Sequence, residues 1–283
     1  MNGQDEGISP RDYKRLCTLV YDRAGINLGE QRRTMLEVRI KRRLKDLELS
    51  SYGDYCDYLF GHQGQRDEIV HLIDVVATNK TDFFREPRHF DFLSNTALPE
   101  LAPAPGSGQL FRVWSAGCST GEEPYTLAMV MSDYAETHPG FRFKILATDI
   151  STTVLKRAAM GVYTRAVVEP VAAAMKRKYL MRSREPGADR VRVVPELRQQ
   201  IDFRRINFMD EDLGVGDTFD VILCRNVIIY FDRATQASVL GKLCAHLRPG
   251  GYLLVGHAEA LHDMDLPLTP VAPATYKKIH TRH

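Results

Sequence analysis

Apolar residues recur at helical spacing through the first eighty residues and at strand spacing for much of the rest. Ser9-Pro10 reads as an N-cap followed by a first-turn proline. The helix it opens, RDYKRLCTLVYDRAG, stops at Gly25. In GEQRRTMLEVRIKRRLKDLEL, Leu36, Ile40, Leu44 and Leu47 share one face. Arg32, Arg39 and Arg43 form an adjoining stripe, with Arg33, Lys41, Arg42 and Lys45 around the rest. SYGDYCDYLF and QRDEIVHLIDVVATN predict two further short helices. No strand pattern interrupts them, so residues 1–80 predict an all-helical N-terminal domain.

Residues 81–108 read as a linker and one more helix at roughly 87–98, closed by the loop APAPGSGQ. From 109 to 283 the pattern alternates. Strand-like runs are LFRVWSA, FKILATDI, IDFRRIN, FDVILC, GYLLVGH and TYKKI. Helical runs between them are EPYTLAMVMSDYAE, STTVLKRAAM, PVAAAMKRKYL and RATQASVLGKLCAHL. That alternation predicts an α/β, doubly wound, Rossmann-like sheet, mainly parallel, with helices on both faces. The stretch 183–199, containing RVRVV, does not fit and predicts a small β insertion.

Composition narrows the chemistry. With 283 residues, 44% apolar and 26% charged, the chain has the make-up of a soluble globular protein of one large or two modest domains. A net charge of +2 argues against a nucleic-acid binder, so any basic partner surface must be local. MNGQDEG carries no basic-then-apolar signal pattern, and VILCRNVIIYF is broken by Arg225 and Asn226, so no membrane insertion is expected. Five scattered cysteines without C-x-x-C predict neither a disulfide framework nor a zinc cluster, and suit a reducing cytoplasm. Nine histidines without H-E-x-x-H lead to the same expectation of no metal.

The richest segment is RVWSAGCSTGEEPYTLAM, residues 112–129. Gly117, Ser119 and Gly121 spell G-x-S-x-G, the nucleophile elbow of serine hydrolases. A hydrolase would need an oxyanion loop earlier in the chain, yet this turn follows the first strand of the α/β part. A triad of Ser119 with Asp149 or Asp220 and His257 has only sequence order behind it. The cofactor reading explains more. Ligands of open α/β sheets sit at the carboxyl ends of the strands, beside the first Gly-rich turn. FKILATD ends in Asp149, placed to bind ribose hydroxyls; it could equally cap the next helix, a task Ser151 could also perform. Glu122 and Glu123 open the helix and would repel a pyrophosphate. They suit a ligand with a cationic ammonium and a sulfonium, namely S-adenosylmethionine (SAM). Asn207 and Phe208 follow a strand, where they could bond and flank an adenine. Cys224, Arg225 and Asn226 end the next strand, with Tyr230 four residues on.

TNKTDFFRE, SAGCSTGEEPY, ATDIS, CRNVIIYFD and LRPGGYLLVGHAE together resemble the bacterial chemotaxis receptor methyltransferases, the CheR family. The likeness runs from the N-terminal helices to about residue 279. It implies methyl transfer from SAM to glutamate side chains on the cytoplasmic helices of methyl-accepting chemotaxis receptors. The products would be glutamyl methyl esters and S-adenosylhomocysteine (SAH).

The resemblance also implies roles. Asn79, Thr81 and Arg85 would contact the cofactor, with Arg85 facing the reacting centre. Gly117, Arg225 and Asn226 would line its pocket, and Cys224 would touch it through its backbone. Glu123 would hold the ammonium, although spacing alone does not separate it from Glu122, and both also complement a helix dipole. Arg32, Arg39 and Arg43 would face the acidic receptor helices. The β insertion resembles one that in some members grips a receptor C-terminal peptide. A monomer in the cytoplasm, beside membrane receptor arrays, is expected. Glutamate is ionised at neutral pH, so no general base is needed. Catalysis then rests on orientation, for which Arg85 and Tyr230 are the candidates. A SAM sensor without turnover, a serine hydrolase and an RNA methyltransferase are the competing functions; the last lacks the aromatic and basic interleaving it would need.

Overall fold

The computed structural model describes residues 7–279 except 63, 78, 184–186 and 263. Thr78 of the linker motif and residues 184–186 of the predicted insertion therefore lie outside the described residues.

The N-terminal helices are α1 (Pro10–Ala24), α2 (Arg33–Asp46), α3 (Tyr52–Phe60) and α4 (Gly64–Val76). Their ends follow local chemistry. Ser9 accepts the Asp12 N–H at the start of α1, and Gly25, at φ 69°, closes it with an N–H to the Tyr21 carbonyl. Ser51 caps α3 in the same way. Leu36, Ile40 and Leu44 of α2 are buried with Leu16 and Val20 of α1, Leu59 of α3 and Leu72 of α4. The apolar face read from the sequence is the face that packs.

A helical stretch follows: α5 (Arg88–Phe92), a π turn (Leu93–Ala97) and α6 (Leu98–Leu101). Then come β1 (Phe111–Ala116), α7 (Glu122–Thr137), β2 (Phe143–Asp149) and α8 (Thr152–Met160). Next are β3 (Val162–Thr164), α9 (Ala173–Tyr179), β4 (Leu180–Arg182), β5 (Arg190–Val193) and α10 (Pro195–Arg198). The chain closes with β6 (Ile201–Arg205), β7 (Phe219–Cys224), α11 (Arg233–His246), β8 (Leu247–Val255), β9 (Leu268–Ala272) and β10 (Thr275–Lys278).

The main sheet has the order β6-β2-β1-β7-β8-β10-β9. Its first five strands are parallel, and β10 runs antiparallel to both β8 and β9. The order reverses between β1 and β2 on one side and β7 on the other, so a crevice opens at the carboxyl ends of these strands. Separate apolar cores fill the two faces, one around Tyr125 and Met129 of α7, the other around Leu240 and Leu243 of α11.

Two features differ from the sequence reading. Strand β9 was not expected; it is a sheet edge, where Pro270 is tolerated because no neighbour needs its missing N–H. The small β insertion is wider than 183–199. It is a three-stranded antiparallel sheet, β3-β5-β4, whose first strand begins at Val162. Strands of three residues show no readable alternation, and residues 195–198 form a helical turn.

The bundle sits on the crevice. The Asn27 N–H donates to the Tyr230 carbonyl at 2.9 Å. Asn207 Nδ2 donates to the Arg23 carbonyl at 2.7 Å, and Thr153 donates to Asp74 at 2.6 Å.

Within α2, Arg43 makes a forked contact with Glu68 at 2.8–2.9 Å, and Tyr55 donates to the same carboxylate. Glu68 is 1% exposed. Removing its cation would leave a buried unpaired charge. Arg43→Ala should therefore destabilise the protein by about 3 kcal/mol, whereas Arg42→Ala, on the exposed face, should cost less than about 0.5 kcal/mol. Urea unfolding read by circular dichroism compares the two, and similar losses would contradict the assignment.

Candidate functional site

The Gly-rich turn between β1 and α7 is shaped by three left-handed residues: Gly117 at φ 90°, Ser119 at φ 49° and Gly121 at φ 98°. A Cβ on Gly117 would lie 2.3 Å from a methyl of Val227, so this position admits only glycine. The Gly117 and Cys118 N–H groups both reach the Thr148 carbonyl at 2.8 Å, tying the turn to β2. Asp149, at the end of β2, accepts the Ser119 N–H through one oxygen and the Ser151 N–H through the other, both at 2.9 Å. Burial raises its carboxyl, and the two backbone N–H groups work against that. Ser151 caps α8, so Asp149 is free of that task.

A cleft with about 990 Å³ of empty space, its open mouth included, lies over this turn. Asn79, Thr81, Arg85, Gly117, Glu123, Asp149, Asn207, Phe208, Arg225, Asn226 and Tyr230 all line it, and so does Arg32 from the bundle. These are twelve of the fifteen residues expected from sequence.

The other three differ. Cys224 is fully buried behind the wall. Arg39 does not face outward; its guanidinium donates to the carbonyls of Val75 and Ala77, at the end of α4. Arg43 is committed to Glu68. An arginine stripe at helical spacing looks like a solvated face, but here two of its members satisfy backbone carbonyls at a helix end and a buried carboxylate. The exposed face of α2 instead carries Val38, Arg42 and Lys45.

Asn207 needs a narrower reading as well. Its Nδ2 is spent on the Arg23 carbonyl and its Oδ1 accepts the Met209 N–H, so its side chain is engaged in holding the domains together.

Glu122 and Glu123, inseparable by spacing, are separated by the fold. Glu122 turns away from the cleft and accepts from Thr120 at 2.7 Å. Glu123 faces the cleft, accepts from Ser115 at 2.6 Å, and lies 3.3 Å from Arg225. Burial raises the Glu123 carboxyl, while Arg225 and Ser115 oppose the shift.

The Arg225 side chain is 2% exposed. It lies between Glu123 and Glu86, the latter at 3.4 Å, and donates to the Arg85 carbonyl. Burial works to raise Glu86, but Arg225 and the His257 backbone N–H bring it below the ordinary range. Phe84 and Glu86, on either side of Arg85, hold φ of 54° and 56°. Arg85 itself donates to the Lys80 carbonyl at 2.9 Å. Across the cleft, the Arg32 guanidinium lies 4.7 Å from the Tyr230 ring centre.

Among the described residues, Glu86, His89 and His257 bring metal-ligand atom types within 4.8 Å of one another. Arg225 already faces this carboxylate. Burial, with Arg225 next, lowers His89 to about 4, so its ring is neutral at pH 7.

Sequence reasoning missed Ala24 and Ile26, which bring the bundle into the cleft wall, as well as Ile150 and Ile206. Ile150 follows Asp149 directly and could have been found from that. No sequence signal places α1 over the sheet.

The donor set fits SAM. The cleft holds a largely buried carboxylate, Glu123, able to take an ammonium, and a second, Asp149 beside the Gly-rich turn, able to take hydroxyl groups. Apolar Ile150, Ile206 and Phe208 can flank a purine. The hydrolase reading fares poorly. The Ser119 hydroxyl donates to the Asn79 carbonyl at 2.9 Å, and no histidine lines the cleft among the described residues.

A doubly wound sheet with this turn and this pair of acidic residues defines a SAM-dependent methyltransferase. Residues 79–276 match the family described as CheR methyltransferase, SAM binding domain, and residues 11–77 match CheR methyltransferase, all-alpha domain. The chain belongs to the CheR methyltransferases. It is 39% identical over 274 residues to the chemotaxis protein methyltransferase of Borreliella burgdorferi, covering 96% of this chain and 95% of that one. It is 38% identical over 262 residues to the chemotaxis protein methyltransferase of Escherichia coli, covering 93% and 88%. Chemotaxis protein methyltransferase 2 of Pseudomonas aeruginosa is 37% identical over 256 residues, covering 90% and 89%.

Asp149→Ala removes a cleft acceptor and frees the Ser119 N–H. It should weaken SAH binding by about tenfold or more, the loss of one charge-assisted hydrogen bond. Ser119→Ala should change it by less than about threefold. Calorimetric titration measures both, and a fluorophosphonate probe should leave Ser119 unlabelled.

Proposed function

We propose that this protein methylates glutamate side chains on the cytoplasmic helices of chemotaxis receptors. SAM is the methyl donor, and the products are glutamyl methyl esters and SAH. The observation that carries this reading is the meeting of Arg85, Arg32 and Tyr230 in one cleft with Glu123 and Asp149. Two guanidinium groups and a phenol in that cleft suit an incoming carboxylate.

Glu123 would hold the ammonium of SAM, Asp149 its ribose hydroxyls, and Ile150, Ile206 and Phe208 its adenine. When bound, SAM supplies an electrophilic methyl on a cationic sulfur. The receptor carboxylate arrives already ionised, so the site need not remove a proton. Arg85 pairs with that carboxylate loosely enough to leave one oxygen nucleophilic, and Tyr230 fixes its direction. Orientation and exclusion of water supply the rate.

The names of the similar proteins support a role in chemotaxis. No described helix is long and apolar enough to cross a membrane, which suits work in the cytoplasm beside the receptors. Receptor helices rich in glutamate would dock on the exposed Val38, Arg42 and Lys45 of α2. The small sheet β3-β5-β4 offers edge strands to a receptor tail.

Arg85→Ala and Tyr230→Phe should lower kcat by about tenfold to a hundredfold and leave the SAH dissociation constant within about threefold. A radiolabelled methyl-transfer assay on receptor membranes, with calorimetry alongside, reads the split. Equal losses in both would contradict these roles.

Binding of a cationic ligand should also depend on pH through Glu123. Its carboxyl is raised, so lowering pH protonates it above the ordinary glutamate range. The protonated form no longer attracts an ammonium, so affinity should fall as pH falls through that raised value. Glu123→Gln should bind weakly at every pH and flatten the profile; an unchanged slope would assign the dependence to another group.

A further inference from the structure

The loop after β7 carries Arg225, Asn226 and Tyr230 onto the cleft wall. Its own sequence accounts for only part of its shape. Asn226 sits at φ 59°, in the left-handed region that asparagine tolerates better than most residues with a side chain. Ile228–Tyr230 then form a tight 3-10 turn with no side-chain cap. Such a segment persists only where its surroundings over-determine it.

Asn27 holds the Tyr230 carbonyl, and Gln236 Nε2 donates to the Ile228 and Phe231 carbonyls. Glu259 is the group that takes the N–H groups of the loop. It lies beyond the end of β8 and is 5% exposed. One carboxylate oxygen accepts the Asn226 N–H at 2.8 Å and the Gly256 N–H at 2.6 Å. The other accepts the Ile229 N–H at 3.2 Å. These partners are all backbone N–H groups. They lie on both sides of a gap of about thirty residues, bonding the end of β8 to the loop of β7. Gly256 leaves room for this. A Cβ there would lie 2.6 Å from Asn226 Nδ2 and 2.8 Å from the Glu259 oxygen.

We propose that Glu259 is a positioning residue for methyl transfer, its carboxylate setting where Tyr230 stands on the cleft wall. This rests on the reading of Tyr230 as the group that orients the receptor carboxylate. A carboxylate is needed because it only accepts hydrogen bonds. In Glu259→Gln the amide oxygen can take the place that serves Asn226 and Gly256. Its NH₂ then faces the Ile229 N–H, donor against donor. The substitution keeps size and shape, and it releases the turn that delivers Tyr230 one residue later. The ligand-holding carboxylates Glu123 and Asp149 stand on other elements and keep their partners.

Glu259→Gln should lower kcat for receptor methylation by at least about tenfold, since misplacement by 1 Å can cost about a hundredfold. The SAH dissociation constant should stay within about threefold. In amide NMR spectra of the full chain, the Ile229 resonance should move upfield while residues of α1 stay in place. Tyr230→Phe is assayed beside it. A slow Tyr230→Phe with a wild-type-like Glu259→Gln overturns the proposal and leaves the Tyr230 reading standing. A wild-type-like Tyr230→Phe removes the Tyr230 reading, and this proposal with it. Parallel loss of kcat and SAH affinity in Glu259→Gln also overturns it, since that marks general damage to the pocket. If Glu259→Gln does not fold, Glu259→Asp takes its place: it keeps the charge and withdraws it by one methylene from the loop N–H groups. It should show the same split between kcat and SAH affinity, and its absence there would overturn the proposal.

Discussion

The placement of the cleft residues depends on one buried cation. Arg225 directly follows the central strand β7, and almost none of its side chain reaches water. A charge in that position costs several kcal/mol unless it is paired. Its partners come from two other places in the chain, Glu123 at the start of α7 and Glu86 in the linker. Its guanidinium also donates to the Arg85 carbonyl. One side chain thus holds the strand end, the helix start and the linker at fixed separations. The left-handed residues Phe84 and Glu86 flank the carbonyl that this cation binds, and Glu86 is held further by the His257 N–H.

Three buried carboxylates around the cleft share a physical problem and solve it differently. Burial raises Glu123, Asp149 and Glu259 alike. Glu123 is compensated by a cation, Asp149 and Glu259 by backbone N–H groups. The first two border the cleft and keep acceptor capacity toward a ligand; Glu259 stands behind it and spends that capacity on the loop. In the proposed function this divides the labour between holding a cationic cofactor and holding the residue that aims the substrate.

The helical bundle is part of the site. Ala24, Ile26 and Arg32 reach the cleft, and Asn27 holds the Tyr230 carbonyl. This explains why two arginines of the α2 stripe turn inward. Arg39 closes the end of α4 at the entry to the linker, and Arg43 neutralises a carboxylate in the bundle core. Both stabilise the domain that roofs the cleft, and the exposed charges Arg42 and Lys45 lie on the neighbouring face of the helix.

Much of this was legible in the chain. The 3.6-residue pattern in residues 10–76 and the β-α alternation after 109 identify the two kinds of architecture, because each period follows from local backbone geometry. Gly117, Asp149 and the acidic pair at 122–123 mark the ligand crevice, because a Gly-rich turn and the next strand end are brought together by short-range topology. The three-residue strands β3 and β4 carry no period to read, and β9 is an edge strand with a proline in it. Spacing also could not separate Glu122 from Glu123, show where Arg39 and Arg43 turn, or connect Glu259 to a loop some thirty residues earlier. Each of those outcomes depends on which distant group supplies the missing charge or hydrogen bond. Local pattern determined the elements and the place of the crevice; only the tertiary structure decided the partners of its buried charges, because desolvation acts on neighbours in space.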